Sequence, residues 1–497
     1  MITVLRPVAD ELLHRALLPL ARCHLERLSV ARVGEPTLGD HLREIGVRPA
    51  LVGKTHMKAD LVGMRRLGID PASSVGVTIA ECGFEPFERD DGMHPYGPYD
   101  PNPDYDTYLR GHGFEADNPW EAWANSSEDD NGDLLSGWLL KHSGKPSRVP
   151  EEHSETAYMT NRAMAFMREA GEAPWLCHLS YIKPHWPYVV PAPYHGMYGP
   201  EHVPEPVRSE VEKATDHPVF KAYIQSRICR SYASDRVRQA VIPAYMGLVK
   251  QIDDQLGRLF AFMRERGLFE NTLILFTSDH GDYLGDHWMG EKDLFHDQSV
   301  RVPLIVYDPR PEADATRGTV SQALVEGVDI APTVLDFYQA KALPHILEGR
   351  SLQPLLHGEV ADTAFRRYAI AEYDYATREA RQIIGNDQKD ARLIMICDAR
   401  YKFWFCEGFR PMLFDLQQDP QELHDLGADP AHEAVRARLT DAIFAWSRQH
   451  HNRITLTPER IEAMTGKEPP GVLIGFWDEA EFEAEFGAPF AERPWAR

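Results

Sequence analysis

Apolar residues recur at helical spacing and then in unbroken runs, several times along the chain. From Thr37, the segment TLGDHLREIG places Leu38, Leu42 and Ile45 on one helix face, and RPALVG follows as a short buried strand. The segment 155–182 repeats this order, because a helical pattern in its first part precedes the strand-like run APWLCHLSYI. Helices that alternate with buried apolar strands are typical of a mostly parallel sheet with helices on both faces. The pattern therefore predicts an α/β fold.

The longest helix pattern lies before the clearest strand. Seven apolar residues share one face of this helix: Ile242, Met246, Val249, Ile252, Leu256, Leu259 and Met263. After Gly267 the run LILFTSD predicts a strand, and 300–308 and 329–339 predict the next strand and helix. Residues 83–150, rich in Gly, Pro, Asp and Asn, predict a long irregular insertion beside the site. We expect this insertion and the loop after His185 to determine the substrate.

The sequence changes in character beyond about residue 366. The runs RYAIAEYDY, RLIMICDARYKFWFC and PMLFDL predict antiparallel strands, and a helical pattern follows them. An acidic tail follows, and its aromatic side chains are expected to be buried against another surface. We expect this surface to belong to a second subunit of a homo-oligomer. The predicted division of the chain is an anomalous N-terminus (1–36), a catalytic α/β domain (37–365), an antiparallel α+β unit (366–451) and the tail (452–497).

Composition narrows the classes of function. The chain has 497 residues, with 53 basic and 76 acidic side chains and a formal net charge of −23. This charge repels nucleic acids and anionic membranes, so neither is expected as a partner. Six scattered cysteines form no CxxC pair, and no run of about 18 apolar residues occurs. These features favour a reducing, cytoplasmic setting.

The strand LILFTSD runs directly into Asp279 and His280. Open α/β sheets bind ligands at the carboxyl ends of their strands, and a carboxylate beside an imidazole can share one cation. In the plain structural alternative, Asp279 caps a turn and His280 is a core histidine. Asp286 and His287 are weaker candidates for the same site. His178, inside an apolar run, is expected to lie in the core.

Four segments carry a resemblance to a known family. The run SDHGDYLGDHWMGEKDLFHDQSVRVPLIVY resembles the metal-binding segment of the sulfatases and phosphonate monoester hydrolases in the alkaline phosphatase superfamily. TLGDHLREIGVRPALVGKTHM, LSYIKPHWPY and MLFDLQQDPQELHDL resemble three further family segments, in the family's order. The resemblance implies an alkaline-phosphatase-like, mostly parallel sheet flanked by helices, with a smaller C-terminal antiparallel α+β unit. It also implies a hydrolase for small anionic esters.

The resemblance implies that Asp279 and His280 are ligands of a divalent metal. Oxygen ligands suit Ca²⁺ or Mg²⁺, whereas an imidazole ligand shifts the preference towards Mn²⁺ or Zn²⁺. We therefore expect Ca²⁺ or Mn²⁺ ahead of Mg²⁺ or Zn²⁺.

Four further residues correspond to family groups that act on the ester. Lys54 and His56 resemble sulfate-binding and nucleophile-assisting groups. His185 resembles the histidine near the leaving-group oxygen, and Lys292 resembles the lysine between substrate and nucleophile. Ammonium groups act where negative charge accumulates in the transition state, and an imidazole can protonate the leaving alcohol. Taken singly, each residue has a plain reading as a surface, strand-end or turn residue.

The family's nucleophile motif, C-x-P-S-R, does not occur in the sequence. In sulfatases its cysteine is oxidised to formylglycine, and an earlier strand ends in aspartates that complete the metal site. The segment CHLER at 23–27 lacks the proline, and GKPSR at 144–148 lacks the cysteine. If the first thirty or so residues are read in the wrong frame, this polypeptide lacks its nucleophile and half of its metal site. We then expect it to be inactive and unstable, because the central strand of the sheet is absent.

Three functions remain open at this point. Lys54 and His56 match sulfatases, because phosphonate monoester hydrolases put Tyr-x-Thr there. The first hypothesis is therefore a sulfuric ester hydrolase with a formylglycine-type nucleophile, acting on a small organic sulfate. The Asp279 and His280 pair and the long tail resemble phosphonate hydrolases and choline-sulfatase-like members, which makes a phosphonate monoester or phosphodiester hydrolase the second. The third is a non-catalytic truncated remnant that binds a metal or a partner.

A shifted reading frame explains the missing motif better than divergence does. Permitted codons for Leu5 to Ala9, read one base later, spell C-x-P-S-R, and those for Asp10 to Leu17 allow T-S-F-F-T-G-R-Y, which resembles the family's continuation. We predict that the gene encodes this motif in the shifted frame and that its true start lies upstream. DNA sequencing over residues 5–17 checks this, and codons that do not spell the motif rule it out.

Overall fold

The computed structural model describes residues 2–5, 33, 36–55, 59–90, 104–340, 347–449, 480 and 483–484. The chain separates into a larger unit, Met1–Ala342 with Leu347–His450, and a smaller one, Leu343–Ile346 with His451–Arg497. Every element described below belongs to the larger unit. The tail at 452–497 and its expected subunit contact lie outside the described residues, apart from 480, 483 and 484.

The helices and strands follow the predicted alternation. The described α-helices are α1 (Leu38–Glu44), α2 (Leu61–Leu67), α3 (Ser74–Ala80), α4 (Asp104–Gly111), α5 (Glu155–Ala170), α6 (Glu210–Lys213), α7 (Pro218–Gln225), α8 (Arg227–Tyr232), α9 (Asp235–Glu265), α10 (Asp297–Val300), α11 (Ile330–Phe337), α12 (Gln353–Leu356), α13 (Asp362–Phe365), α14 (Glu379–Ile384) and α15 (Glu433–Gln449). The described strands are β1 (Ile2–Leu5), β2 (Arg48–Gly53), β3 (Glu85–Arg89), β4 (Ser126–Glu128), β5 (Leu134–Ser136), β6 (Trp175–Ser180), β7 (Leu273–Thr277), β8 (Leu304–Tyr307), β9 (Ala369–Asp374), β10 (Arg392–Cys397), β11 (Tyr401–Cys406) and β12 (Met412–Asp415).

Six strands form the main sheet, in the order β3-β2-β6-β1-β7-β8. The first five run parallel, and β8 pairs with β7 in the antiparallel sense. Every residue of β6 is buried, as expected for an apolar strand inside a covered parallel sheet. The predicted α/β fold with a mostly parallel sheet is confirmed.

The expected absence of the central strand is wrong. β1 lies between β6 and β7 and is parallel to both, with Leu5 opposite Leu179 and Phe276. The sequence of β1 is ITVL, and such β-branched and apolar residues favour a strand inside a sheet. The expectation was based on the missing family motifs in residues 1–36, and it overlooked this short β-forming run.

Helices cover both faces of the main sheet. Leu51 and Leu275 face one cluster with Leu42 of α1, whereas Val52 and Ile274 face a second cluster with helices α5 and α9. Adjacent strand residues point to opposite faces, so the alternation builds two cores from the same strands. One prediction on α9 is wrong, because Val249 is 46% exposed.

The segment 83–150 is more regular than predicted. It begins with β3, which pairs with β2 at the edge of the main sheet, and it also contains α4 and a hairpin of β4 and β5. The five residues of β3 are EPFER. This sequence contains a proline and three charged residues, so the pattern of apolar runs does not predict a strand here. An edge position tolerates these residues because only one side of the strand pairs.

The C-terminal strands form an antiparallel sheet in the order β12-β11-β10-β9. Helix α15 packs on one face of this sheet through Leu439 and Ile443, as the helical pattern predicted. The opposite face packs against the segment after β7, where Phe295 contacts Trp404 with ring centroids 5.6 Å apart. The second sheet therefore lies directly against the segment that carries the predicted site residues.

None of the helices in the described ranges combines the length and the apolar character needed to cross a lipid bilayer. The described cysteines Cys82, Cys177, Cys229, Cys397 and Cys406 are buried free thiols.

A buried ammonium group joins the second sheet to α10. The side chain of Lys402, on β11, is 2% exposed, and its Nζ atom lies 2.6 Å from Asp297 Oδ1 and 2.8 Å from Glu422 Oε1. The Asp297 backbone N–H also donates to Glu422 Oε2 at 2.8 Å. Burial lowers the pKa of Lys402, but the two carboxylates more than offset this and hold it above its usual value. Lys402 is thus charged at neutral pH.

We expect Lys402→Met to lower the free energy of unfolding by about 3–5 kcal/mol, because it leaves the Glu422 carboxylate, whose side chain is 1% exposed, without a counter-charge. Urea denaturation followed by circular dichroism measures the change. Lys389→Met is the matched control, because the Lys389 side chain is 77% exposed. Equal losses in the two variants would contradict the prediction.

Candidate functional site

The predicted site residues lie where parallel strands end. Lys54 follows β2, the loop with His185 follows β6, and Asp279 and His280 follow β7. The carboxyl ends of parallel strands meet at one edge of a sheet, which is where open α/β sheets bind ligands. The fold therefore brings three of the predicted segments to one edge.

Gly53 allows β2 to approach β6 closely just before Lys54. Its φ is +109°, and a Cβ at this position would lie 1.9 Å from the Ser180 carbonyl oxygen. The next backbone N–H, of Lys54, donates to the same oxygen at 3.2 Å. Any side chain at residue 53 would push Lys54 away from the strand that leads to His185.

Asp279 and His280 present two ligand atoms to one point. The His280 Nδ1 atom lies 2.7 Å from the Gly281 carbonyl oxygen, which can only accept, so Nδ1 carries the proton. His280 Nε2 lies 3.3 Å from Asp279 Oδ2. Two ligands at right angles around Ca²⁺, each about 2.3 Å from the ion, are also about 3.3 Å apart. The pair therefore fits a shared divalent cation.

His185 lies among positive groups. Its ring centroid is 6.2 Å from that of His280, and its Nδ1 atom lies 2.8 Å from the Trp186 carbonyl oxygen. Burial lowers the pKa of His185 well below its usual value, and the ammonium groups of Lys54 and Lys292 lower it further. Both lysines thus act electrostatically on this imidazole.

The structure brings Lys54, His185, Asp279, His280 and Lys292 into one region. His56, the remaining predicted residue, lies outside the described residues. This arrangement of two ammonium groups, an imidazole and a pair of metal-type ligands suits a tetrahedral oxyanion.

Ser299 of α10 contacts both ends of the segment 281–292, which follows β7. Its carbonyl accepts from the Gly281 N–H at 2.8 Å, and its hydroxyl donates to the Lys292 carbonyl. A Cβ at residue 281 would lie 1.9 Å from the Gln298 carbonyl oxygen, so this contact requires glycine. Sequence reasoning missed Ser299. The only available signal was indirect, a lysine among the apolar residues of β11, which holds α10 through Asp297.

Asp282 extends the buried polar network beside the site. Burial raises its pKa to about 7, although the Leu284 N–H and the Tyr188 hydroxyl both donate to its carboxylate. The distance from the Tyr188 hydroxyl to Asp282 Oδ2 is 3.0 Å. This carboxyl group was not among the predicted site residues.

The weaker candidates Asp286 and His287 are engaged elsewhere. Asp286 accepts from the Val207 N–H at 3.0 Å. His287 is fully buried, 2.6 Å from a Glu212 carboxylate oxygen, and its ring stacks on His296 with centroids 3.9 Å apart and planes 14° apart. Glu212, His287 and His296 form a group with metal-ligand chemistry. Imidazole lone pairs lie in the ring plane, so two stacked, nearly parallel rings do not converge on one ion.

His178 lies in β6 and is 2% exposed, so its predicted place in the core is confirmed.

A cleft of about 1730 Å³ opens beside Asp279, His280 and Lys292. Residues of the second sheet line its far side, and they include Tyr373. The Tyr373 hydroxyl donates to Asp293 Oδ1 at 2.5 Å, and Asp293 is the neighbour of Lys292 in the chain. The site is thus open to molecules larger than an inorganic anion.

Two sequence-family models match the chain. The sequence model of the Sulfatase family matches residues 24–340, and a second one, described as N-sulphoglucosamine sulphohydrolase, C-terminal, matches residues 285–449.

Two curated relatives and one solved structure are similar to the chain. The multifunctional alkaline phosphatase superfamily protein PehA of Trinickia caryophylli is 32% identical over 442 residues, which cover 85% of this chain and 81% of that protein. An arylsulfatase of Clostridium perfringens is 30% identical over 307 residues, covering 61% of this chain and 60% of that protein. A phosphonate monoester hydrolase from Silicibacter pomeroyi has a TM-score of 0.75 and 26% identity, covering 92% of this chain and 89% of that chain.

The match to the Sulfatase family spans more than half of the chain, and it includes every predicted site residue. The parallel sheet and the C-terminal antiparallel sheet have counterparts in the same group of hydrolases. The chain therefore belongs to the sulfatase family of hydrolases, within the alkaline phosphatase superfamily.

Proposed function

We propose that the site binds a sulfate monoester of a small organic alcohol and that the complete enzyme hydrolyses it. The observation that carries this proposal is that Asp279, His280 and Lys292 line one cleft, with the His185 ring 6.2 Å from that of His280 and Lys54 directly after β2 at the same sheet edge. The net charge of −23 disfavours large polyanions and leaves small anionic esters as the expected substrates.

We assign Asp279 Oδ2 and His280 Nε2 as ligands of a divalent cation, Ca²⁺ or Mn²⁺ ahead of Mg²⁺ or Zn²⁺. Such an ion, when bound, neutralises charge on the non-bridging oxygens of the ester. The Lys54 and Lys292 ammonium groups pair with the same oxygens, where charge grows in the transition state. His185 is assigned to the bridging oxygen, where an imidazole can hold the proton that the leaving alcohol needs.

The nucleophile is the part that this polypeptide lacks. We propose that a formylglycine-type nucleophile is encoded by the shifted frame over residues 5–9. The chain with the present sequence would then bind an anion without turning it over.

A phosphonate monoester or phosphodiester hydrolase is the second candidate. Two similarities favour it, since the relative from Trinickia caryophylli is named multifunctional and the similar solved structure is a phosphonate monoester hydrolase. The Lys-x-His sequence at 54–56 favours sulfate esters instead. A cytoplasmic homo-oligomer also remains a proposal, supported by the scattered cysteines and the aromatic tail.

We expect Asp279→Asn and His280→Ala each to weaken Mn²⁺ binding. Changes to groups behind a metal ligand already cost about 10–100-fold in affinity, so the loss of a ligand costs at least that much. Isothermal titration calorimetry with MnCl₂ measures the effect. Asp253→Asn is the control, because the Asp253 side chain is 75% exposed. Unchanged Mn²⁺ affinity in both site variants would refute the assignment.

Restoring the shifted frame should create activity. We expect no hydrolysis of 4-nitrophenyl sulfate by the chain with the present sequence and measurable hydrolysis by the re-framed chain whose motif cysteine has been oxidised to formylglycine, because only the latter has the nucleophile. A re-framed chain with its motif cysteine replaced by alanine is the control. Equal or greater turnover of a phenyl phosphonate ester would reverse our order of substrates, and activity of the present chain would contradict the need for the motif.

A further inference from the structure

Trp138 is exposed at the surface and yet held in place. It is 43% exposed, and its Nε1–H donates to Glu121 Oε2 at 2.9 Å. Its ring lies 5.9 Å from that of Trp120 and 5.7 Å from that of Trp186, at interplanar angles of 54° and 57°. An exposed indole that is fixed by a hydrogen bond and two ring contacts loses little conformational entropy on binding a ligand.

The backbone that carries Trp138 is also fixed. The Gly137 N–H donates to the Asn125 carbonyl at 2.9 Å. A Cβ at residue 137 would lie 2.3 Å from Val189 Cγ2, so the hairpin of β4 and β5 approaches the loop after β6 as closely as glycine permits. The two segments expected from sequence to determine the substrate, 83–150 and the loop after His185, therefore meet here.

A line of rings connects this surface to the predicted site. The ring centroids of His280 and His185 are 6.2 Å apart, those of His185 and Trp186 are 4.4 Å apart, and those of Trp186 and Trp138 are 5.7 Å apart. His185 is the residue assigned to the bridging oxygen of the ester. The organic part of the ester begins at that oxygen, so it lies on the side of His185 away from the anion.

We propose that Trp186 and Trp138, which we call the tryptophan strip, bind the aryl group of an aryl sulfate ester. This inference rests on the proposed function, because it extends the ester from the same anion site. Indole faces favour stacked and edge contacts with other aromatic rings at centroid distances of about 4.5–7 Å. A phenyl ring attached to the bridging oxygen meets Trp186 first and Trp138 beyond it.

The geometry favours an aryl group over a quaternary ammonium group. Cation recognition uses an enclosure of several aromatic faces, whereas Trp138 and Trp186 touch each other and leave no gap between them for a cation. The nearby Glu121 carboxylate oxygen already accepts from Trp138 and, at 3.2 Å, from Asn125 Nδ2. The strip is therefore a surface for stacking.

The test compares ligands by isothermal titration calorimetry on the full chain with excess MnCl₂. Because this chain lacks the nucleophile motif, sulfate esters act as ligands. We expect phenyl sulfate to bind about fivefold more tightly than methyl sulfate, which is the size of one or two aromatic contacts. Trp138→Ala should remove most of this preference, Trp138→Phe should keep most of it, and inorganic sulfate should bind all three proteins within about twofold.

Two control variants test where the aryl group of the ligand binds. Phe444→Ala removes an exposed aromatic side chain, 60% exposed, from α15 and should leave every affinity unchanged. Ala323→Trp narrows the cleft beside Lys292, which Ala323 also lines. If phenyl sulfate loses affinity in Ala323→Trp and keeps it in Trp138→Ala, the aryl group lies in the cleft and the proposal is wrong.

The remaining outcomes separate this proposal from the proposed function. Binding of inorganic sulfate with equal affinities for phenyl and methyl sulfate overturns the tryptophan strip and leaves the proposed function in place. Tighter binding of choline sulfate than of phenyl sulfate assigns the strip to a cation and also overturns it. If neither inorganic sulfate nor any ester binds, the anion site itself is refuted and both proposals fail.

Discussion

The buried charge of Lys402 is the interaction on which the geometry of the site depends. Its ammonium group lies between the carboxylates of Asp297 and Glu422, where the second sheet meets α10. Ion pairs removed from water are costly to form, and each partner left alone is costlier still, so the three groups stay together. α10 is therefore fixed, and through Ser299 it fixes the loop between Gly281 and Lys292. The C-terminal sheet, which holds no predicted metal ligand, thus positions the segment that carries the predicted ligands Asp279 and His280.

A second constraint comes from the parallel sheet. Strands β2, β6 and β7 end at the same edge, which brings predicted site residues together from segments far apart in the chain. The close approach at Gly53 brings Lys54 towards the loop with His185. The same sheet contains β1 in its centre, whose sequence carries no family aspartate. The fold therefore brings the predicted binding residues of a hydrolase together, and our proposal places its nucleophile in the shifted reading frame.

Sequence patterns predicted the parts of the structure that rest on long apolar runs. α9, β6 and β7 have strong periodicity, and the segment after β7 has a specific family motif, so the fold and the positions of Asp279 and His280 followed. The pattern failed where tertiary contacts outweigh local preference. β3 pairs at an edge despite its proline, and Val249 lies on the apolar stripe of a long helix but is exposed to solvent. The contacts of Ser299 and of Trp138 join different segments of the chain. The spacing of residues within one helix or strand therefore does not predict them.

The hydrogen bonds between α10 and the segment 281–292 have an evolutionary consequence. These bonds go to the Gly281 N–H and the Lys292 carbonyl, which are main-chain groups present whatever the side chains are. The side chains between these two anchors are constrained as well, because none of the residues 281–291 is exposed and Tyr283, His287 and Met289 are at most 1% exposed. Substitutions that survive selection are therefore expected mainly outside this segment, while the segment itself is inherited nearly unchanged.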